Sequence, residues 1–305
     1  MASPSQADTA ASRALSGILL MVAAVCTFSM LDSTAKYMVT QLPTPVVIQF
    51  RYAFAAIMVG LALWYTGGRD LLVTHHLRLQ LLRGLFMLGS TAFNFLAVNY
   101  LRLDQTSALS FTTPLLVCAL SVPLLGERVG PHRWLAVILG FIGVLIIIRP
   151  GTSGFHWAML ASLGCAMCGA LYQIGTRHVG HKDPAITSLF YVSAAGSVIA
   201  TPLNLAGWQM PHGWEWFALA AMGFFGSVGH FFLIEAHRRA PAPVLAPFVY
   251  VQIVPMSIIG YLFFNNVPDV WTLIGASIII ASGLYVFYRE RKLNRIVASD
   301  IQEIA

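Results

Sequence analysis

The sequence predicts an all-α polytopic membrane protein, with ten transmembrane helices arranged as two inverted five-helix repeats. Three observations carry that reading. The 305-residue chain is 57% hydrophobic and 10% charged, with a mean hydropathy of +0.73. Soluble domains carry about 25% charged residues, so a chain this apolar could not cover its own surface in water. Its apolar residues fall into runs of about 20, the length that spans a hydrocarbon core of about 30 Å. Finally, the second half of the chain matches the first at a nearly fixed offset.

Residues 1–13 open with "MASPSQADTAAS", small and polar, and read as a disordered cytoplasmic N-terminus without the basic region of a cleaved signal. Apolar runs follow at 14–35, 44–66, 79–100, 105–125, 133–149, 156–176, 185–205, 213–236, 242–264 and 269–288. The first five make a repeat over 14–149 and the last five a repeat over 156–288, leaving 289–305 as a basic cytoplasmic tail. Connections such as "QLPTP", "GERVGPH", "RPGTSG" and "NNVPD" are short and hold turn formers.

Of the 18 Lys and Arg, fourteen fall in one set of alternate loops: Arg13, Arg69, Arg78, Arg83, Arg128, Arg133, Arg177, Lys182, Arg238, Arg239, Arg289, Arg291, Lys292 and Arg295. The opposite set holds Lys36, Arg102 and Arg149. The positive-inside rule then puts both termini in the cytoplasm.

At an offset of 137, "GSTAFNFL" from Gly89 meets "GSVGHFFL" from Gly226, and Trp134 meets Trp271. A shift of 140 pairs Leu20 with Leu160 and Leu31 with Leu171. Five helices per half invert the second half relative to the first, and substrate sites in such proteins lie near the midplane, at interrupted helices. The interruptions here are Pro114 and Pro123 in the fourth helix and Pro247 and Pro255 in the ninth. Ser110, Thr112 and Thr113 accompany the first pair, Tyr250 and Gln252 the second. Prolines kink helices for packing as well, but their pairing at equivalent positions favours a cavity lining.

The segment "ALSFTTPLLVCALSVPLLGERVGPHRWLAVILGFIGVLIIIRP" from Ala108 to Pro150 resembles the end of an EamA repeat, in the drug/metabolite transporter superfamily. Asp32, Lys36 and Arg51 are spaced as in many of its bacterial members. The resemblance departs in the second half, where Phe263 and Phe264 stand opposite Gly126 and Glu127, making that Gly-Glu pair a helix-end feature of one half. It implies a bacterial inner-membrane carrier with a central cavity and alternating access. Family cargoes include amino acids, their derivatives, nucleotide-like metabolites, vitamins and drugs. Export of amino acids or their derivatives is the leading expectation, with uptake of riboflavin or S-adenosylmethionine as the alternative.

Arg51 lies in the second span, roughly 6 Å outward of the midplane, and Asp32 roughly 12 Å outward in the first. Two readings of Arg51 stand. It pairs with Asp32 to join two helices, or it grips a substrate carboxylate from the cavity wall. Lys36, one turn beyond Asp32, reads as snorkelling to the outer surface. Glu235 reads as an interfacial partner of Arg238 and Arg239. Asn94, Tyr172 and His230 complete the substrate-binding candidates beside Arg51, Asp32, Ser110, Thr113, Tyr250 and Gln252, and Asp32 or His230 could carry a proton.

Other functions lack their signatures. Cys165 and Cys168 have the spacing of half a zinc site with no second pair nearby, so neither a metal nor another cofactor is expected. The small basic excess is too dispersed for nucleic acid. No Ser/His/Asp set, HExxH motif or clustered carboxylates suggest a membrane-embedded enzyme. A passive pore is the remaining competitor, and saturable flux would separate it from a carrier. The partners implied are lipid and a small-molecule substrate, and oligomeric state is not readable.

Overall fold

A chain solvated by lipid exposes large apolar side chains, and a computed structural model of the protein shows that arrangement. It describes residues 6–65, 73–74, 76–126, 130–179, 183–204, 207–240, 245, 248–285 and 288. Leu61, Trp64, Phe217 and Phe263 face outward, with Phe217 79% exposed. The interior is apolar as well, with Phe95, Met21 and Leu63 fully buried, and it also admits hydroxylated residues such as Ser29, Thr112 and Thr187. A water-soluble protein would not expose so many large apolar side chains. Lipid is the solvent, and the chain is a polytopic membrane protein.

Every regular element among the described residues is helical, as a bilayer demands of a chain without a closed barrel. In order they are α1 (Gln6–Gln41), α2 (Thr44–Tyr65), α3 (Leu77–Tyr100), α4 (Leu103–Ser110), α5 (Thr113–Leu125), α6 (Pro131–Ile148), α7 (Ala158–Val179), α8 (Ala185–Ala200), α9 (Glu215–Arg239), α10 (Ile253–Phe264) and α11 (Val270–Tyr285). Short 3-10 turns at Thr201–Asn204 and Tyr250–Gln252 extend α8 and precede α10. Among the described residues, seven candidate spans are long and apolar enough to cross a bilayer, with α4 and α5 together forming Leu103–Leu124. Trp134–Ile148, Tyr250–Phe264 and Val270–Tyr285 are apolar but shorter. The tip expected to be disordered up to residue 13 is helical from Gln6, where alanines favour the helix.

The fourth span breaks at Phe111 and Thr112, just before Pro114 in the first turn of α5. A proline there cannot donate to the Ser110 carbonyl, and the Thr113 hydroxyl does so instead at 2.7 Å. The Thr112 hydroxyl donates to Leu109 O at 2.6 Å and the Ser110 hydroxyl to Thr106 O at 2.8 Å. Hydroxyls assigned from sequence to substrate thus satisfy backbone. Gly126 ends α5 in the left-handed region at φ 69°, and Asn265 ends α10 the same way at φ 53°. The expected helix-end role of Gly126 is therefore observed, while Glu127 and Pro247 lie outside the described residues.

The two halves interlock. α1 packs along α9, α3 along α7, and α2 along α8, so each pairing joins one half to the other. The break in the fourth span meets the turn before α10, where the Phe111 and Tyr250 rings are 5.1 Å apart and perpendicular. Elsewhere α6 crosses α11 backbone to backbone. A Cβ on Gly143 would come within 2.7 Å of Gly275 O, and one on Gly275 would meet Gly143 O in turn. Gly143→Ala is expected to destabilise the purified protein by about 1–3 kcal/mol, because backbone must shift to admit it. Gly60→Ala, whose Cβ would lie 3.5 Å from the Phe190 ring, should be neutral. Thermal unfolding in detergent reads both, and equal melting of the two variants would refute the crossing.

Candidate functional site

Arg51 and Tyr52 are adjacent on α2, yet both are tied to one residue of α3. Arg51 Nη1 donates to Thr91 Oγ1 at 3.1 Å, and the Tyr52 hydroxyl lies 2.8 Å from the same oxygen. Tyr52 donates its proton to Met87 O at 3.1 Å, so Thr91 donates to Tyr52 and accepts from Arg51. The guanidinium also lies over the Tyr52 ring at 4.6 Å and near the Phe95 ring at 5.9 Å. It is 5% exposed, its Nε has no hydrogen-bond partner, and it makes no ion pair among the described residues.

Asp32 on α1 is likewise buried, but it accepts from Asn94 Nδ2 at 2.8 Å. Thr91 and Asn94 sit one turn apart on α3, which fastens the two charges separately. The direct Arg51–Asp32 contact allowed by the sequence is absent among the described residues. An intramembrane charge costs about 2.5–3.5 kcal/mol on insertion scales. One neutral hydroxyl offsets only part of that for Arg51.

Beside the guanidinium lies a narrow cavity of about 20 Å³, near the middle of α2, α3, α7, α8 and α9. Its polar wall consists of Arg51, Tyr52, Tyr172, Ser193, Ser227 and His230, with Met87, Leu189 and Val192 supplying apolar surface. His230 stacks edge-on against Phe28 at 5.0 Å and forms no hydrogen bond to a described residue. Tyr172 carries the guanidinium of Arg83 at 5.1 Å over its ring.

Arg83 corrects the sequence reading. It was counted among loop cations, yet it is 3% exposed inside the bundle. Nη1 donates to Gln80 Oε1 at 2.6 Å and Nε to Thr176 at 3.1 Å. Gln80 Nε2 in turn donates to Asp183 at 2.8 Å and Ser188 at 2.9 Å, closing one end of the α3–α7–α8 cluster. Lys36 is a second correction. Its ammonium does not snorkel; it donates to Val98 O at 2.7 Å and Leu101 O at 2.6 Å, capping the α3 C-terminus beneath the Phe264 ring. Glu235 does pair with Arg238 at 3.0 Å and Arg239 at 3.5 Å.

Of the sequence-derived candidates, Arg51, Tyr172 and His230 meet at the cavity, and Asp32 and Asn94 form a neighbouring pair. Ser110, Thr113, Pro114, Pro123, Tyr250, Gln252 and Pro255 lie on the broken spans, which do not contribute to this cavity's wall. Thr91, Ser227 and the Gln80–Arg83–Asp183 network were missed. Thr91 and Ser227 stand within the two matched octapeptides, so the repeat itself was the available signal. Asn94→Leu is expected to cost about 1.5–3 kcal/mol by stranding the Asp32 carboxylate. Adding Asp32→Asn should recover most of that loss in thermal unfolding, and a double variant no better than Asn94→Leu alone would contradict the pairing.

A family model described as the EamA-like transporter family matches the chain twice, over residues 15–149 and 156–288. The S-adenosylmethionine uptake transporter of Rickettsia felis is 30% identical over 91% of this chain and 94% of its own. The riboflavin transporter of Vibrio cholerae is 30% identical over 92% and 96%. The pseudopaline exporter of Pseudomonas aeruginosa is 27% identical over 88% and 94%. A protein of known crystal structure aligns with a TM-score of 0.63 at 18% identity, covering 93% of this chain and 99% of that one, which is a likeness of fold.

Proposed function

We propose a cargo class from one premise: the chain belongs to the EamA-like transporter family, and is thus a membrane transporter of small molecules and not an enzyme. In this reading it carries an amino-acid-derived metabolite with a free carboxylate, S-adenosylmethionine being the leading candidate, by alternating access through the Arg51 cavity. The observation behind it is the buried Arg51 guanidinium, without an ion pair among the described residues and facing a cavity. A planar fork with a free donor edge suits a carboxylate, and the aromatic wall suits a flat ring. S-adenosylmethionine joins an α-amino carboxylate to a purine, and the Rickettsia relative's name supports it.

The architecture that goes with this function is ten spans in two inverted repeats, in a bacterial inner membrane with both termini cytoplasmic. The three shorter apolar helices, α6, α10 and α11, complete the ten. The reciprocal pairings of α1 with α9 and α3 with α7 support the inversion, as does the Phe111–Tyr250 contact. A second reading, a riboflavin-like cargo, has Tyr52 and Tyr172 on the cavity wall in its favour.

Mass spectrometry of cells and medium, with wild-type protein or Arg51→Met at matched membrane levels, tests the proposal. A carboxylate-bearing compound should move with wild-type protein and lose at least about thirtyfold of its flux in the variant, as expected when one partner of a buried charge pair is truncated. Its appearance in the medium marks export and its depletion marks uptake. Transport of a compound without a carboxylate, or equal flux by the two proteins, would overturn the assignment.

A further inference from the structure

Arg51 engages Thr91 through Nη1 alone, which leaves the Nε–Nη2 edge of its fork without a hydrogen bond among the described residues. That edge faces Gly226. A Cβ built there would lie 3.5 Å from Nη2 and 3.8 Å from Nε, and 3.7 Å from Leu31 Cδ1. These are ordinary contacts, so the glycine is not required by packing. Two N–H···O bonds of normal length place the carbon of a side-on carboxylate roughly 3.5–4 Å from both nitrogens. A methyl on Gly226 would stand against this edge, and glycine leaves the approach to it open.

The next residue adds a second unsatisfied donor. Ser227 is 8% exposed and its Oγ has no partner, although it lines the same cavity. Other buried or half-buried helical serines in this protein bond back to the preceding turn, as Ser29 does to Val25 O and Ser33 to Ser29 O. Ser107, Ser162 and Tyr250 also hold orphaned hydroxyls, but they stand outside this cavity. Arg51 Nε and Ser227 Oγ are fully buried donors on this wall without a partner among the described residues, and the neighbouring His230 ring forms no hydrogen bond to a described residue either.

We propose that Gly226 and Ser227 complete a carboxylate subsite with Arg51. The carboxylate takes the Nε–Nη2 edge side-on, by the approach that Gly226 leaves open, and accepts a further hydrogen bond from Ser227 Oγ. This deepens the carboxylate-carrier reading and rests on it. The subsite selects the acid of an amino-acid-derived cargo against its decarboxylated counterpart.

Full-length protein in lipid nanodiscs is titrated with S-adenosylmethionine and with decarboxylated S-adenosylmethionine. Wild-type protein should prefer the acid. Gly226→Ala and Ser227→Ala should each weaken acid binding about tenfold or more, the size expected for a lost hydrogen bond to a charged group. Binding of the decarboxylated ligand should change less than about twofold, because its contacts are untouched. Neither variant should melt below wild type, since one adds a helix-favouring methyl and the other removes an orphaned hydroxyl. If both variants bind the acid as wild type does while Arg51→Met loses it, the subsite is refuted and the carboxylate reading survives. Equal weakening of both ligands also refutes the subsite. If Arg51→Met binds normally as well, or wild type does not distinguish the two ligands, the carboxylate reading falls with it.

Discussion

In hydrocarbon, a polar group has to find its partner inside the protein, and most of this structure follows from that constraint. It requires helices, because only they pair their backbone groups within the segment. It also decides what the hydroxyls near the fourth-span break do. Pro114 removes one donor, and Thr113 supplies a replacement to the carbonyl left behind. Lys36 answers the same demand at the end of α3, where two carbonyls have no helical donor. Arg83, Gln80, Asp183, Thr176 and Ser188 form a connected network for the same reason. An Arg51 nitrogen and the Ser227 hydroxyl depart from this pattern around one cavity, without a partner among the described residues.

The interlocking of the halves sets where that cavity forms. Each half contributes its own helices to the other's flank, through α1 with α9, α3 with α7, and α2 with α8. The cavity therefore draws on both halves, with α2 and α3 on one side and α7, α8 and α9 on the other. In the proposed two-fold arrangement a residue on the axis touches its own counterpart, which is how Phe111 meets Tyr250. The same spacing that separates these two also separates Gly126 from Asn265, and both of those end their helices in the left-handed region. That correspondence lies two residues beyond the 137-residue offset, which paired Gly126 with Phe263. The proline-bearing spans thus meet at the centre as packed elements, with the Tyr250 hydroxyl there unpartnered among the described residues, and the cavity opens to one side of them.

What could be seen in the sequence was what composition and local pattern determine. Apolar runs located the helices, and Arg51 announced itself as a cation within one. The errors came from partners distant in sequence. Arg83 stands near a helix end, where a basic residue normally reads as a loop cation; its burial depends on Gln80 beside it and, through Gln80, on Asp183 across the bundle. Ser110 and Thr113 looked like ligands because hydroxyls beside prolines suggest an opened helix, yet their bonds are local. Ser227 carried no signal of its own in the sequence, and only the three-dimensional neighbourhood shows its oxygen without a partner among the described residues.

The two octapeptides that first suggested duplication show how one local pattern serves two purposes. In the first, a Cβ on Gly89 would lie 3.1 Å from Cys168 Sγ, and Ser90 donates to Cys165 O at 3.1 Å. That glycine admits a neighbouring helix and that serine is satisfied. In the second, Gly226 faces the edge of the Arg51 fork and Ser227 donates to no described residue. Small residues in membrane helices ordinarily allow close packing. The same Gly-Ser pair, set opposite a cation instead of a cysteine, leaves a void with a charge at its edge. A polar void of that kind is stable in lipid only if water or substrate fills it. The difference between a packing motif and a binding motif is therefore not in the pair itself but in which helix the fold places against it.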